Sequence, residues 1–147
     1  MKLRTRTSVI CLYQDTLLVF KAVDPTSQQH YWFLPGGKIE DGETPCACVE
    51  REALEETGYR IQALQDSEIV KEYSHWWDGQ EHACKTFFYK GVLREPWHEP
   101  RAVVDAAYNK GATWLPVNEA LKFFAYKKEI LEAVTALVYS PRSSPAK

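Results

Sequence analysis

Glu52, Glu55 and Glu56 stand at positions i, i+3 and i+4 of one another. On a helix, which turns about 100° per residue, that spacing gathers three carboxylates onto an arc of roughly 100°. Like charges so placed repel, and the cluster costs stability unless something positive sits among them. A hard divalent cation with oxygen ligands meets that need, Mg²⁺ above all, with Mn²⁺ as a substitute. Metal sites of this type usually handle phosphates. The competing reading is a solvated helix face, since glutamate-rich faces are common.

For these side chains to act together the chain must build a helix and a loop that leads into it. Thr44 is a ready N-cap, Pro45 suits the first helical position, and Gly58 is a stop signal. The helix then runs from about Thr44 to Thr57, with Cys46, Val49 and Ala53 on an apolar face and the glutamates mostly away from it. Before it, Gly36-Gly37 follow Pro35 as a loop in which the backbone can approach a ligand closely, and Asp41-Gly42 is a turn.

The flanks read as strands. Arg4–Tyr13 and Thr16–Val23 form a hairpin around Gln14-Asp15, and Tyr31–Leu34 is a short aromatic strand. Downstream come Tyr59–Leu64, Glu68–Trp76 and Glu81–Leu93, the last two joined at Asp78-Gly79. Residues 94–110 read as a loop and Ala112–Leu115 as a strand. Asn118 is the expected N-cap of a short helix, Glu119–Phe124, and Lys127–Tyr139 has helical apolar spacing. This order predicts an α/β fold with a mixed β-sheet between helices. Residues 1–140 are expected to form a single domain, and the Pro/Ser-rich 141–147 a flexible C-terminal tail.

With 147 residues, 45% apolar and 26% charged, the composition is that of an ordinary one-domain globular chain. A net charge of −2 argues against a binder of long nucleic acid, which would carry a basic excess. No apolar run approaches the roughly 18 residues of a membrane span. The N-terminus reads as a strand and not as a signal peptide. Cys11, Cys46, Cys48 and Cys84 lack a framework spacing and are expected to be reduced thiols in a cytoplasmic protein.

Residues 37–59, GKIEDGETPCACVEREALEETGY, carry more than the helix alone. They resemble the Nudix hydrolase box, Gly-x5-Glu-x7-Arg-Glu-U-x-Glu-Glu-x-Gly-U, with U a bulky or apolar residue. Gly37, Glu43, Arg51, Glu52, Ala53, Glu55, Glu56, Gly58 and Tyr59 fill its specified positions. Ala53 is small and Tyr59 carries a hydroxyl, two mild departures. The resemblance implies an α/β/α sandwich and an enzyme that hydrolyses phosphorus-containing acid anhydrides. It implies Glu52 and Glu56 as principal metal ligands, Glu55 as ligand or base, and the Gly36 carbonyl in the coordination shell. Arg51 and Glu43 would be a pair that supports the glutamates. A fourth carboxylate often lies shortly before the strand that here contains Trp114. This chain has Asn109 and Lys110 there, which leaves Glu95, Glu99 and Asp105 as the nearest candidates.

The box implies which bond breaks but not the substrate. Members of the family cleave nucleoside diphosphates linked to another group. The proline that marks the ADP-ribose type is replaced by His75, the coenzyme A signature is absent, and Tyr73 falls short of the diadenosine polyphosphate position. A nucleoside triphosphate or nucleotide sugar remains, with a non-catalytic nucleotide-binding module or an RNA 5′-end pyrophosphohydrolase or binder as alternatives. Lys38, Arg6, Trp32 and Trp76 are the expected substrate-binding residues; Trp77 is a further stacking candidate, and Arg4, Lys71 and Lys85 could line a cleft. Because strand neighbours alternate, Trp76 and Trp77 cannot share a face. His30, His75, His82 and His98 lack metal spacing and read as surface or loop residues, while Trp97 could be a lid or a homodimer contact.

Overall fold

The structure is a computed structural model, and it describes residues 3–95 and 109–140. The expected positions Trp97, His98, Glu99 and Asp105, and the tail 141–147, lie outside the described residues.

Strands β1 (Leu3–Tyr13) and β2 (Thr16–Val23) form the expected hairpin. Gln14 and Asp15 both take positive φ, 49° and 65°, the backbone that matches the right-handed twist of two flanking strands. β3 (His30–Phe33) pairs antiparallel with β2. Gly36-Gly37 are not loop residues. They open a short strand, β4 (Gly36–Lys38), that pairs antiparallel with Arg6–Ser8 of β1. Only glycine fits there, because a Cβ on Gly36 would collide with the Thr7 carbonyl at 1.9 Å.

Helix α1 (Pro45–Thr57) starts and stops where its sequence signals do. The Thr44 hydroxyl accepts from the Ala47 amide, and Gly58, at φ 81°, donates its N–H to the Leu54 carbonyl. The buried apolar stripe is Cys48, Val49 and Ala53, with Cys46 only half-buried, so the wall side is rotated from the expected one. Beyond α1, β5 (Ile61–Ala63) is shorter than expected, and a single 3₁₀ turn at Gln65–Ser67 was not signalled. β6 (Ile69–Trp77) and β7 (Gln80–Leu93) form a hairpin.

β8 (Asn109–Pro116) pairs antiparallel with β2, so Asn109 and Lys110 belong to a strand and not to the loop expected there. Helix α2 (Val117–Phe123) begins two residues earlier than expected, with Pro116 at its N-cap and no side-chain cap bond, and Asn118 is inside it. Helix α3 (Lys128–Tyr139) closes the described chain.

β1 and β7 run parallel through the middle, from Leu3↔Ala83 to Cys11↔Gly91; the other pairings are antiparallel, which makes the sheet mixed. β1 splits its second edge between β4 at Arg6–Ser8 and β2 at Leu12–Tyr13. Alternation along β1 and β2 then sorts the core into two layers. Val9, Cys11 and Leu18 meet Val49 and Ala53 of α1 on one face, with Tyr59, Ile61 and Tyr89. Ile10, Leu17 and Val19 meet Ala120, Phe124, Ala133, Val134 and Leu137 of α2 and α3 on the other, with Phe88. The result is the expected α/β/α sandwich, with the acidic helix on one side of the sheet and the C-terminal helices on the other.

Candidate active site

α1 lies against β4, so the glycines that open β4 face the glutamates. The Gly36 N–H donates to Glu56 Oε1 at 2.9 Å. A Cβ on Gly37 would stand 2.5 to 2.8 Å from the Glu52 carboxyl group, so this backbone forms a cradle that any side chain would fill. Glu56 is 7% exposed. Burial pushes its carboxyl well above the usual carboxylate range, and the neighbouring Glu52 charge adds to that, against the opposing Gly36 bond. Burial likewise raises Glu52, against the pull of Arg51.

Arg51 answers the rest of the charge. Its Nε and Nη2 grip Glu43 at 2.6 and 3.1 Å in a two-pronged bond, and Nη1 reaches Glu52 and Glu55 at 3.3 Å each. The Arg51 bond holds the Glu43 carboxyl down at about 2, and the Glu43 bond in turn raises the guanidinium above its ordinary value. The three helix glutamates are therefore not equivalent. Glu56 is buried and Glu52 half-buried beside it, whereas Glu55 turns along the helix to Arg51 and stays about 40% exposed.

Among the described residues, no three His, Cys, Asp or Glu groups converge into a preformed cage. The donor set is all oxygen, as hard divalent cations such as Mg²⁺ require, and the Glu52 and Glu56 carboxyl groups stand close against the Gly36-Gly37 backbone. Glu95 lies on the far side of the molecule, beside Tyr13 and Val138, and does not approach the pair.

The sheet face opposite α1 holds a cavity of about 210 Å³ that reaches Glu56. Arg4, Arg6 and Ser8 of β1, Phe33, Gly36, Tyr73, His75, Trp77 and His82 line it, closed by Phe124, Tyr126 and Ile130. Its wall is a set of packed rings. Tyr31 stacks on Phe33 with centroids 5.8 Å apart, Trp77 tilts onto Phe33 at 5.2 Å, and Tyr126 meets Tyr31 edge-on at 5.2 Å. His75 lies nearly parallel to Trp77 at 6.5 Å. Burial lowers the His75 ring to about 4, with Arg6 and Lys127 adding to that, so the imidazole is neutral at pH 7. Asp24 ties this wall together: its carboxyl accepts from the Thr26, Ser27 and Asp78 amides, joining the β2–β3 loop to the β6–β7 turn.

The expected substrate residues divide. Arg6 lines the cavity, on the same strand face as Arg4 and Ser8. Trp76 does not; it is 62% exposed on the other face of β6, and Trp77 takes the inward position. Trp32 packs beside Phe123 and the α2–α3 core, with the Lys21 ammonium 5.8 Å from its ring. Lys38 is exposed at the end of β4, away from the cavity lining. Lys71 is engaged with Glu132 at 3.0 Å, and Lys85 lies over Phe87. His75 and His82 are half-buried cavity residues, not surface ones. Sequence held one usable signal for this wall: Ile69 faces the core, and stepping by two from it gives Tyr73, His75 and Trp77. Nothing in the local sequence pointed to Tyr126.

A family model described as NUDIX domain matches residues 2–134. A curated relative, an RNA pyrophosphohydrolase of Pseudoalteromonas translucida, is 46% identical over 48 residues, which is 33% of this chain and 26% of that protein. The chain thus spans about a quarter of the length of that relative. Among solved structures, a NUDIX hydrolase from Nitrosomonas europaea superposes with a TM-score of 0.69 at 18% identity, covering 91% of this chain and 87% of that one. A C. elegans Ap4A hydrolase complex superposes at 0.67 with 18% identity, covering 92% and 97%. At such identities the likeness shows the fold.

Proposed function

The chain belongs to the NUDIX family, and on that premise we propose that it is a Mg²⁺-dependent pyrophosphohydrolase. It cleaves the diphosphate linkage of a nucleoside diphosphate derivative, a nucleoside triphosphate or a nucleotide sugar. The observation that carries this reading is the position of Glu56, which belongs both to the carboxylate pair under α1 and to the lining of the aromatic cavity. One end of that arrangement suits a divalent cation and phosphates. The other suits a planar ring.

Glu52 and Glu56, with the Gly36 carbonyl and Glu55, are the groups that would hold the cation. When bound, it supplies neutralisation of phosphate charge and polarises the phosphoryl oxygen. Arg51 and Glu43 keep Glu52 and Glu55 in place on the helix surface. A box carboxylate positions a water and accepts its proton as the water oxygen attacks phosphorus. The P–O anhydride bond breaks, and the leaving phosphate oxygen keeps the electron pair. Arg6, between Glu56 and the aromatic wall, faces a substrate phosphate, and Phe33, His75, Trp77 and Tyr126 enclose a base, with Tyr31 stacked on Phe33. A cavity of about 210 Å³ is smaller than the ~300 Å³ at which sites for whole drug-sized ligands begin. It takes one ring system and leaves the phosphates outside, toward α1.

The test is a phosphate- and nucleotide-release screen with Mg²⁺ and with Mn²⁺. It covers nucleoside triphosphates, nucleotide sugars, dinucleoside polyphosphates, ADP-ribose and 5′-triphosphorylated RNA. The expected result is cation-dependent turnover of a mononucleoside substrate. Binding of nucleotides with no turnover under either metal would make the chain a binding module. Preference for the RNA substrate would favour the activity in the Pseudoalteromonas relative's name.

A further inference from the structure

We propose that Asn109 is a positioning residue that fixes the last turn of α1, and with it the Glu56 carboxyl group, an inference that rests on the hydrolase reading above. The last four carbonyls of a helix have no donor within it. In α1 the Leu54 carbonyl is served by the Gly58 N–H. The Glu56 carbonyl is served from a strand 53 positions away in sequence, by Asn109 Nδ2 at 3.2 Å. The same side chain accepts the Gly111 N–H on Oδ1 at 2.9 Å, so both ends of the amide are engaged.

That pair of bonds selects the residue type. A carboxylate offers no donor to a carbonyl, and an apolar side chain offers neither group. The β2–β8 ladder slips in register between Phe20 and Ala22, where Asn109 pairs, and such irregularities re-aim a side chain. β8 grips the same helix end a second time, where Trp114 packs edge-on against Tyr59 at 5.3 Å. Asn109 and Trp114 thus hold the chain on either side of Gly58. Glu56 is then fixed twice, its backbone by Asn109 and its carboxyl group by the Gly36 amide.

The experiment compares Asn109→Ala and Asn109→Asp with the wild type in two readouts: steady-state kinetics at saturating Mg²⁺, and the amide signal of Gly36 by NMR without substrate. Loss of such a supporting partner lowers activity roughly 10–100-fold. The fall is expected in kcat, with KM little changed, and is equal in both variants. The Gly36 amide shifts in both. Asn109→Leu, which removes both hydrogen-bonding groups at similar volume, replaces Asn109→Ala should that variant not fold. A lower melting temperature with unchanged kcat and an unmoved Gly36 signal would overturn the proposal. So would an Asn109→Asp variant as active as the wild type, which would make the position a cation ligand. A wild type inactive on every substrate, with the Gly36 signal still shifting in the variants, would sink the hydrolase reading and leave the tether standing.

Discussion

The acidic cradle and the aromatic cavity share Gly36 and Glu56 and are otherwise built in opposite ways. The cradle draws Gly36, Gly37, Glu43, Arg51, Glu52, Glu55 and Glu56 from one stretch of chain, a short strand, a turn and a helix. The cavity collects Arg6, Phe33, His75, Trp77, His82 and Tyr126 from β1, β3, β6, β7 and the segment before α3. The first is held by charge-assisted hydrogen bonds, the second by ring packing and burial. On the proposed function, reaction chemistry is concentrated where local geometry sets it, and recognition is spread where several elements must meet. A change in the cradle should strike turnover, and a change in the cavity should strike affinity.

The largest effect should come from Glu56→Gln. The amide still accepts from Gly36 and keeps the chain folded, while loss of the carboxylate lowers kcat by roughly 10²–10⁴-fold. Steady-state kinetics with a circular-dichroism check of folding decides it, and wild-type turnover by both Glu56→Gln and Glu52→Gln would break the division between the regions. Next is Trp77→Ala. Base stacking on an aromatic side chain is worth about 1–3 kcal/mol, so KM should rise while kcat changes less. Trp76→Ala, on the exposed face of the same strand, should leave both unchanged. Equal effects of the two tryptophans would show that the cavity is not the recognition site.

Arg51→Ala should cost about 1.5–3 kcal/mol of stability, the range for hydrogen bonds to charged groups, because Glu43, Glu52 and Glu55 lose their shared partner. Urea unfolding measures it, and an unchanged midpoint would mean that the clamp is not structural.

The smallest effect separates the regions by pH. His75 has a folded value near 4, below the ordinary value of about 6.5. The unfolded chain binds the extra proton, so stability falls as pH drops from about 6.5 to about 4. Glu43 has a folded value near 2, below the ordinary value of about 4.3. Its contribution is present above the ordinary value and is lost as pH falls through about 2. Glu52 and Glu56, raised by burial, work in the other direction and favour the folded state as pH falls. Thermal melts from pH 7 to pH 2 should show the upper decline flattened in His75→Phe and the lower one in Glu43→Gln. Two variants that alter the same window would remove this distinction.

The order of elements was legible because each carries its own signals: Thr44, Pro45 and Gly58 bound α1, and Asp78-Gly79 turns the β6–β7 hairpin. The departures have a common cause. Gly36-Gly37 read as a loop because glycine disfavours strands locally, yet pairing with β1 makes them a strand. Asn109 and Lys110 read as loop residues because only pairing with β2 marks them as a strand. Trp76 and Trp77 posed a choice of parity that Ile69, seated on the core, decided in favour of Trp77.

The sequence by itself determined the family, the helix with its carboxylates and the arginine that supports them, because helical periodicity and caps act within a few residues. Tertiary structure alone decided that Glu56 is buried with Glu52 beside it while Glu55 stays with Arg51, that His75 lies in a wall of packed rings, and that Asn109 ties β8 to the end of α1. Burial and contact between distant segments are properties of the packed sheet, and no local pattern of residues encodes which strand will lie beside which helix.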